Sequence, residues 1–421
     1  MSDARSEAFA ALDAILRHRQ SPEDTGAGLE ERDRAFARLL VATTLRRLGQ
    51  IDALIGQCLA TPLPPKAHKV QDVLRLGTAQ LLFLDTPAHA AVDTAVDLAR
   101  ILGQTAHVKL VNALLRRLAR EGQQRAAEQD AARLNTPDWL WDSWTAAYGD
   151  VLCRQIALAH LCEAPLDISV KDDAAGWADA LSAEILPTGT LRRRTTGGAV
   201  SALPGFDQGA WWVQDAAAAL PVRLLGPVAG RRIADLCAAP GGKTAQLAAA
   251  GAAVTALDRS ANRLERLRHN LSRLGLAAEV VTADAALWRP QEPFDAVLLD
   301  APCSATGTFR RHPDAAWLKR PDDVAKLTAT QTRLLTAAID MVAPGGLVVY
   351  CTCSLQPEEG PARIEALLAA GAPVRRRPIT ADDVEGLAEL VTADGDLRSL
   401  PCHLSEKGGM DGFYAARLER L

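Results

Sequence analysis

The sequence predicts an α/β protein in which a C-terminal Rossmann-like domain follows an all-α bundle and a small α+β extension. Three observations carry this. Residues 1–120 place apolar side chains at three- and four-residue steps, as helices do. From Leu134 to about Gln214 the pattern is mixed. Beyond about Asp215, short apolar runs alternate with helical stretches, which means βαβ units and a parallel sheet. At 421 residues the chain is also long for one ordinary core.

In the first part the periodic positions are Leu12, Ile15 and Leu16, then Phe36, Leu39, Leu40 and Thr43, then Val108, Val111, Leu114, Leu115 and Leu118. Breakers at Ser21–Gly28, Thr61–Pro65 and Asp85–Pro87 separate them. The last helix carries Lys109, Arg116, Arg117 and Arg120, which fit a solvated face or an edge facing nucleic acid. Residues 121–132 have no apolar stripe and read as a linker or exposed helix. A Trp-rich helix, Trp139 to Tyr148, opens the mixed module. Apolar runs at Leu166–Val170 and Ala183–Leu186 follow, and then Arg192, Arg193 and Arg194, which are either exposed or in contact with phosphate.

Strands are expected at Arg232–Leu236, Ala253–Leu257, Glu279–Thr282, Ala296–Leu299 and Leu347–Tyr350, with Phe413–Leu418 as a last, antiparallel edge strand. The domains expected are 1–125, 133–214 and 215–421.

Composition excludes several classes. Net charge is −4, so any surface for nucleic acid is local rather than global. No apolar run approaches the roughly eighteen residues of a membrane span, and Met1–Ala10 has no signal-like stretch, so a cytoplasmic protein without a membrane partner is expected. None of the eight cysteines forms a CxxC pair or a zinc-spaced cluster, so no metal is expected.

The first strand of the sheet runs into Asp235-Leu-Cys-Ala-Ala-Pro-Gly-Gly-Lys-Thr244. A glycine-rich turn from strand to helix lets the backbone approach a ligand. It is not a P-loop, because Cys237 stands where the first glycine belongs, and G-x-G-x-x-G is absent, so a small nucleoside ligand remains. Asp258, Asp284 and Asp300 end the next three strands. The first suits a ribose diol and the second an adenine amino group. A single Asp at a strand end is usually a turn or cap residue; three in register after such a turn favour a ligand. Two cysteine motifs close the next two runs, Asp300-Ala-Pro-Cys-Ser-Ala-Thr-Gly307 and Tyr350-Cys-Thr-Cys-Ser-Leu-Gln-Pro-Glu-Glu359. One such cysteine is ordinarily a buried thiol, but two beside one crevice point to chemistry.

The segments CAAPGGKT (237–244), DAPCSATGTFRRHPDAAW (300–317), YCTCSLQPEE (350–359) and DGFYAARL (411–418) resemble the NOL1/NOP2/Sun family of RNA cytosine-5 methyltransferases. DRAFARLLVATTLRRLGQID (33–52), TPAHAAVDTAVDLAR (86–100) and VKLVNALLRRLAR (108–120) resemble the NusB-like N-terminal domain of its bacterial 16S rRNA subgroup. The resemblance implies S-adenosyl-L-methionine as cofactor, RNA (16S rRNA or a small-subunit assembly intermediate) as partner, and a chain acting as a monomer. It makes Cys353 the nucleophile and Cys303 the cysteine that resolves the adduct. It gives Cys237, Ala238, Ala239, Pro240, Gly241, Gly242, Lys243, Asp258, Asp284 and Asp300 as cofactor contacts. The chemistry needs a thiolate, because addition at carbon 6 of cytosine turns carbon 5 into a nucleophile. Cys351 departs from the family pattern and is expected to be a small buried residue. Arg310, Arg311 and His312 fall in a stretch that lies near RNA in the family. The alternatives are another RNA such as tRNA, or an antitermination-type RNA-binding protein without turnover.

Overall fold

A computed structural model describes residues 3–21, 25–193 and 197–421. Their contacts separate two compact units: Met1–Cys162 with Phe309–Arg320, and Glu163–Thr308 with Pro321–Leu421.

The first unit is helical. Its helices are α1 (Ala4–His18), α2 (Glu31–Arg46), α3 (Leu48–Cys58), α4 (His68–Phe83), α5 (Ala88–Ile101), α6 (Val108–Ala127), α7 (Ala131–Leu134) and α8 (Asp138–His160). Asp3 caps α1 by accepting from the Arg5 and Ser6 N–H groups. The predicted periodic residues Leu12, Ile15, Leu40, Val111, Leu114, Leu115 and Leu118 share one buried core. The stretch 121–132 is helical as far as Ala127 and again from Ala131, where α7 begins. The Trp-rich helix extends to His160 across a break at Gly149, whose φ of 78° is not helical. Trp144 is buried against His160 and Phe309 (ring centroids 5.4 and 6.1 Å), which is how the segment Phe309–Arg320 joins this unit. Arg46 donates to the Arg310 carbonyl at 2.9 Å, and the Trp317 indole donates to the Leu45 carbonyl at 2.9 Å.

The second unit holds two sheets. The smaller contains β1 (Leu166–Val170), β2 (Glu184–Ile185), β3 (Leu191–Arg193) and β4 (Trp211–Val213) in the order β2-β3-β1-β4, all antiparallel, with α9 (Ala174–Leu181) packed on it. After α10 (Ala216–Arg223) come β5 (Arg232–Leu236), α11 (Gly242–Ala249), β6 (Ala253–Asp258), α12 (Ala261–Leu274), β7 (Glu279–Thr282) and β8 (Phe294–Asp300). The chain ends with α13 (Ala315–Leu318, in the first unit), α14 (Pro321–Met341), β9 (Val342–Thr352), α15 (Pro361–Ala369), β10 (Val374–Arg376), β11 (Leu397–Ser399) and β12 (Phe413–Arg420).

The larger sheet runs β10-β12-β9-β8-β5-β6-β7, with β11 also on β12. From β9 to β7 it is parallel. Ile233–Leu236 and Ala296–Leu299 are buried without alternation, as central parallel strands covered on both faces must be. The chain leaves β5 in one direction to β6 and β7 and in the other to β8 and β9, so the order reverses between β5 and β8. Crevices for ligands form at the carboxyl ends of strands at such a reversal. The expected edge strand 413–418 is antiparallel but interior: β9 flanks it on one side and β10 and β11 on the other. Two three-residue strands, too short to show a period, supply that cover. Among the described residues, no helix is long and apolar enough to cross a membrane.

Candidate active site

At the end of β5 the chain turns sharply. Cys237 takes φ 63°, the Ala239–Pro240 bond is cis, and Gly241 takes φ 104°. A Cβ on Gly241 would meet Leu267 Cγ at 2.9 Å, so the turn needs glycine for both its angle and its space. The Thr244 hydroxyl donates to Asp235 Oδ2 at 2.6 Å and pins α11 onto β5. Burial raises the Asp235 carboxyl to about 7, against the opposing pull of that hydrogen bond. Burial likewise pushes the Cys237 thiol up to about 12.

Cys237, Asp258 and Asp284 line one open cleft, together with Leu257, Ala285 and Pro302. Asp258 is buried and accepts from the Ala239 N–H at 3.3 Å and the Ser260 N–H at 2.9 Å. A carboxylate has about four acceptor positions, so capacity remains for a diol. Asp284 is exposed, with one oxygen on the Ala286 N–H at 2.9 Å. Walls and acceptors fit a nucleoside. Not every predicted contact gathers there. The Pro240 ring is exposed and its carbonyl accepts from Asn270 at 3.1 Å. Ala238, Ala239, Gly241 and Gly242 form the turn rather than the cleft wall.

Lys243 and Asp300 form a second centre. Lys243 Nζ lies 2.7 Å from Asp300 Oδ2 and 4.9 Å from the Phe413 ring centroid. Burial lowers the Lys243 pKa, but the neighbouring Asp300 carboxylate outweighs it and the ammonium is held above its ordinary value. Cys351, the departure from the family pattern, is buried as expected and also donates its thiol to Asp300 Oδ1 at 3.6 Å. Burial first, then the Asp300 charge, holds that thiol well above its usual pKa.

Strands β8 and β9 pair in parallel with Asp300 opposite Cys351. That register brings the two following loops together and sets Cys303 Sγ 3.4 Å from Cys353 Sγ. The Gly307 N–H donates to the Cys353 carbonyl at 3.0 Å, and the Gly412 N–H donates to the Gly307 carbonyl at 2.9 Å. A Cβ on Gly307 would stand 1.9 Å from Gly412 O, so this approach is possible only between glycines. The hydrogen bond to Cys353, with burial second, raises the Cys303 thiol well above its ordinary pKa.

Sequence reasoning missed Glu359, a fully buried carboxylate at the end of the second cysteine motif. Several basic candidates are corrected. Arg192 is not exposed: it is fully buried, bound to Asp167 at 2.7 and 2.6 Å and to the Lys407 and Gly409 carbonyls. Arg193 donates to the Leu181 carbonyl at 2.7 Å, and Arg194 lies outside the described residues. Arg310 is buried, whereas Arg311 and His312 are exposed, as are Lys109, Arg116 and Arg120 on α6.

Residues 222–419 match the family described as 16S rRNA methyltransferase RsmB/F, and residues 2–120 match the NusB family. Among curated proteins, the chain is 36% identical to ribosomal RNA small subunit methyltransferase B of Klebsiella pneumoniae, over 98% of this chain and 97% of that one. The protein of the same name from Yersinia enterocolitica is 37% identical over 98% of each, and that from Vibrio cholerae 36% over 93% and 91%. Among solved structures, a methyltransferase homolog protein from Pyrococcus horikoshii is 26% identical, with TM-score 0.57, covering 69% of this chain and 98% of that one. NSun6 from the same organism shares the fold at 20% identity and TM-score 0.57, covering 68% and 98%.

Proposed function

The chain belongs to the ribosomal RNA small subunit methyltransferase B family, and from that membership we propose how its residues methylate carbon 5 of one cytosine in 16S rRNA. It is an RNA cytosine-5 methyltransferase, and its cofactor is S-adenosyl-L-methionine, which supplies an electrophilic methyl group. Asp258 would hold the ribose diol and Asp284 the adenine amino group, with Cys237 at the start of the turn Cys237–Gly242 lining the same cleft. The target base leaves its stack to reach the thiols.

The Cys353 thiolate adds to carbon 6 of the flipped cytosine. Asp300, fixed by Lys243, accepts from the exocyclic amino edge and so orients the ring for attack. Carbon 5 then takes the methyl group. A base removes the carbon-5 proton, the electrons re-form the 5,6 double bond, and Cys353 leaves as thiolate. Cys303, at 3.4 Å from Cys353, assists that last stage. The contact between the two thiols carries this reading. Without it, nothing distinguishes the second cysteine from an ordinary buried one.

Three parts share the work in this proposal: residues 1–125 as the NusB-like RNA-binding domain, 133–214 as a small RNA-binding extension, and 215–421 as the catalytic domain. The protein acts in the cytoplasm, as a monomer. The test uses purified protein, labelled S-adenosylmethionine and small-subunit rRNA free of modification, with nuclease digestion and mass spectrometry to locate the methyl group. A single 5-methylcytidine in 16S rRNA is expected. Methylation confined to tRNA, or cofactor binding without incorporation into any cellular RNA, would overturn it.

A further inference from the structure

We propose that Glu359 is a positioning residue that clamps the loops bearing Cys303 and Cys353 and so fixes the contact between their thiols. Its consequence for catalysis rests on the roles assigned to those cysteines above; the clamp itself is geometric.

The Glu359 carboxylate accepts from the Ser304 N–H at 2.9 and 3.2 Å, from the Ser304 hydroxyl, from the Ser354 hydroxyl at 2.6 Å and from Gln331 Nε2 at 3.1 Å. Ser304 directly follows Cys303, and Ser354 directly follows Cys353. Gln331, on α14, also donates to the Pro302 carbonyl at 3.0 Å, so it steadies the residue before Cys303. The Glu359 main chain is fixed as well, its carbonyl accepting from the Tyr350 hydroxyl at 2.8 Å and from Thr352 Oγ1 at 3.3 Å. All these donors are neutral, and the side chain is fully buried.

A buried carboxylate is costly unless its oxygens are saturated with donors. Here the donors converge from both cysteine loops, and a carboxylate, which only accepts, suits them all at once. Glutamine offers one oxygen and adds two N–H groups where donors already crowd. The Gly307-to-Cys353 backbone bond still joins the loops if Glu359 is lost. Loss of Glu359 therefore loosens the sulfur–sulfur spacing without parting the loops. Displacements of about 1 Å at reacting atoms are enough to cost two orders of magnitude in rate.

The closeness of the thiols can be read without RNA or cofactor. Full-length protein is treated with a mild azodicarboxamide oxidant, which takes two electrons and two protons from a thiol pair as the S–S bond forms. Peptide mapping then times the Cys303–Cys353 disulfide. Glu359→Ala is expected to slow this pairing roughly tenfold or more, and Glu359→Gln less, with S-adenosylmethionine affinity unchanged. Pairing at the parent rate in folded Glu359→Ala overturns the proposal. If that variant does not fold, Ser304→Ala with Ser354→Ala removes one hydroxyl from each loop; slower pairing is expected there too, and the parent rate overturns the proposal equally. Methyl transfer in the same variants separates the two readings. A fall in kcat at constant KM for RNA supports both, whereas slowed pairing with undiminished kcat keeps the clamp and removes the roles assigned to the thiols.

Discussion

Arg192→Ala removes a fully buried guanidinium that holds both Asp167 oxygens, at 2.7 and 2.6 Å, and reaches the carbonyls of Lys407 and Gly409 at 3.1 and 2.6 Å. Asp167 is itself buried and would keep the Ala216 N–H at 3.0 Å. Removing one partner of a buried ion pair strands the other charge and costs about 3–5 kcal/mol. In a unit of this size each kcal/mol moves the melting temperature by roughly 2–4 °C, so a drop on the order of 6–20 °C is expected in thermal unfolding. The same variant tests whether Arg192 grips phosphate. Loss of one phosphate contact would flatten the slope of log binding constant against log salt by about 0.7–0.9. The structure requires a lower melt with an unchanged slope. An unchanged melt with a flatter slope would refute the reasoning. Replacing Arg192 and Asp167 together by leucine should recover much of the loss, because no orphaned charge is left.

Three further outcomes are expected. Cys303→Ala should accumulate a covalent protein–RNA adduct on denaturing gels and Cys353→Ala none; the reverse pattern would exchange their roles. Asp235 titrates at about 7 when folded, against roughly 3.9 unfolded, so its ionised form weighs against folding increasingly as pH climbs between those values. Asp235→Asn should therefore gain on the parent in melting temperature from pH 5 to pH 8, and a gap that stays constant with pH would contradict the shift. His160 is held down to about 3 by burial, and protonation of the unfolded state below about 6.5 removes stability, about 1.4 kcal/mol by pH 5.5. His160→Phe should flatten the acid limb of the melting curve, and an unaltered limb would count against that assignment.

The elements of the fold were legible because their signals are local. Ile233–Leu236 reads as a strand because Ile233, Ala234 and Leu236 form a short apolar run just before a glycine-rich turn. Gly241 and the cysteine motifs stand out by type and spacing, so the cleft residues Cys237, Asp258 and Asp284 could be named from sequence. Glu359 could not be, since nothing in PEE distinguishes the acid that enters the core from Glu358 beside it. The exposure of arginines was equally opaque. Arg192 and Arg193 are neighbours in one strand, and only Arg192 meets a buried carboxylate.

The sequence by itself determined the helical first part, the strands of the parallel sheet, the glycine turn after β5, and the two thiols at the ends of neighbouring strands. Those follow from periodicity and turn chemistry within a few residues. The tertiary structure alone decided the 3.4 Å contact between Cys303 and Cys353, the interior place of β12, and which charges are buried. Each depends on partners far along the chain: Arg192 meets carbonyls 215 and 217 residues away, and Ser304 meets Glu359 across 55. Charged side chains enter a core only where donors and acceptors converge on them, and that convergence is set by strand register and packing.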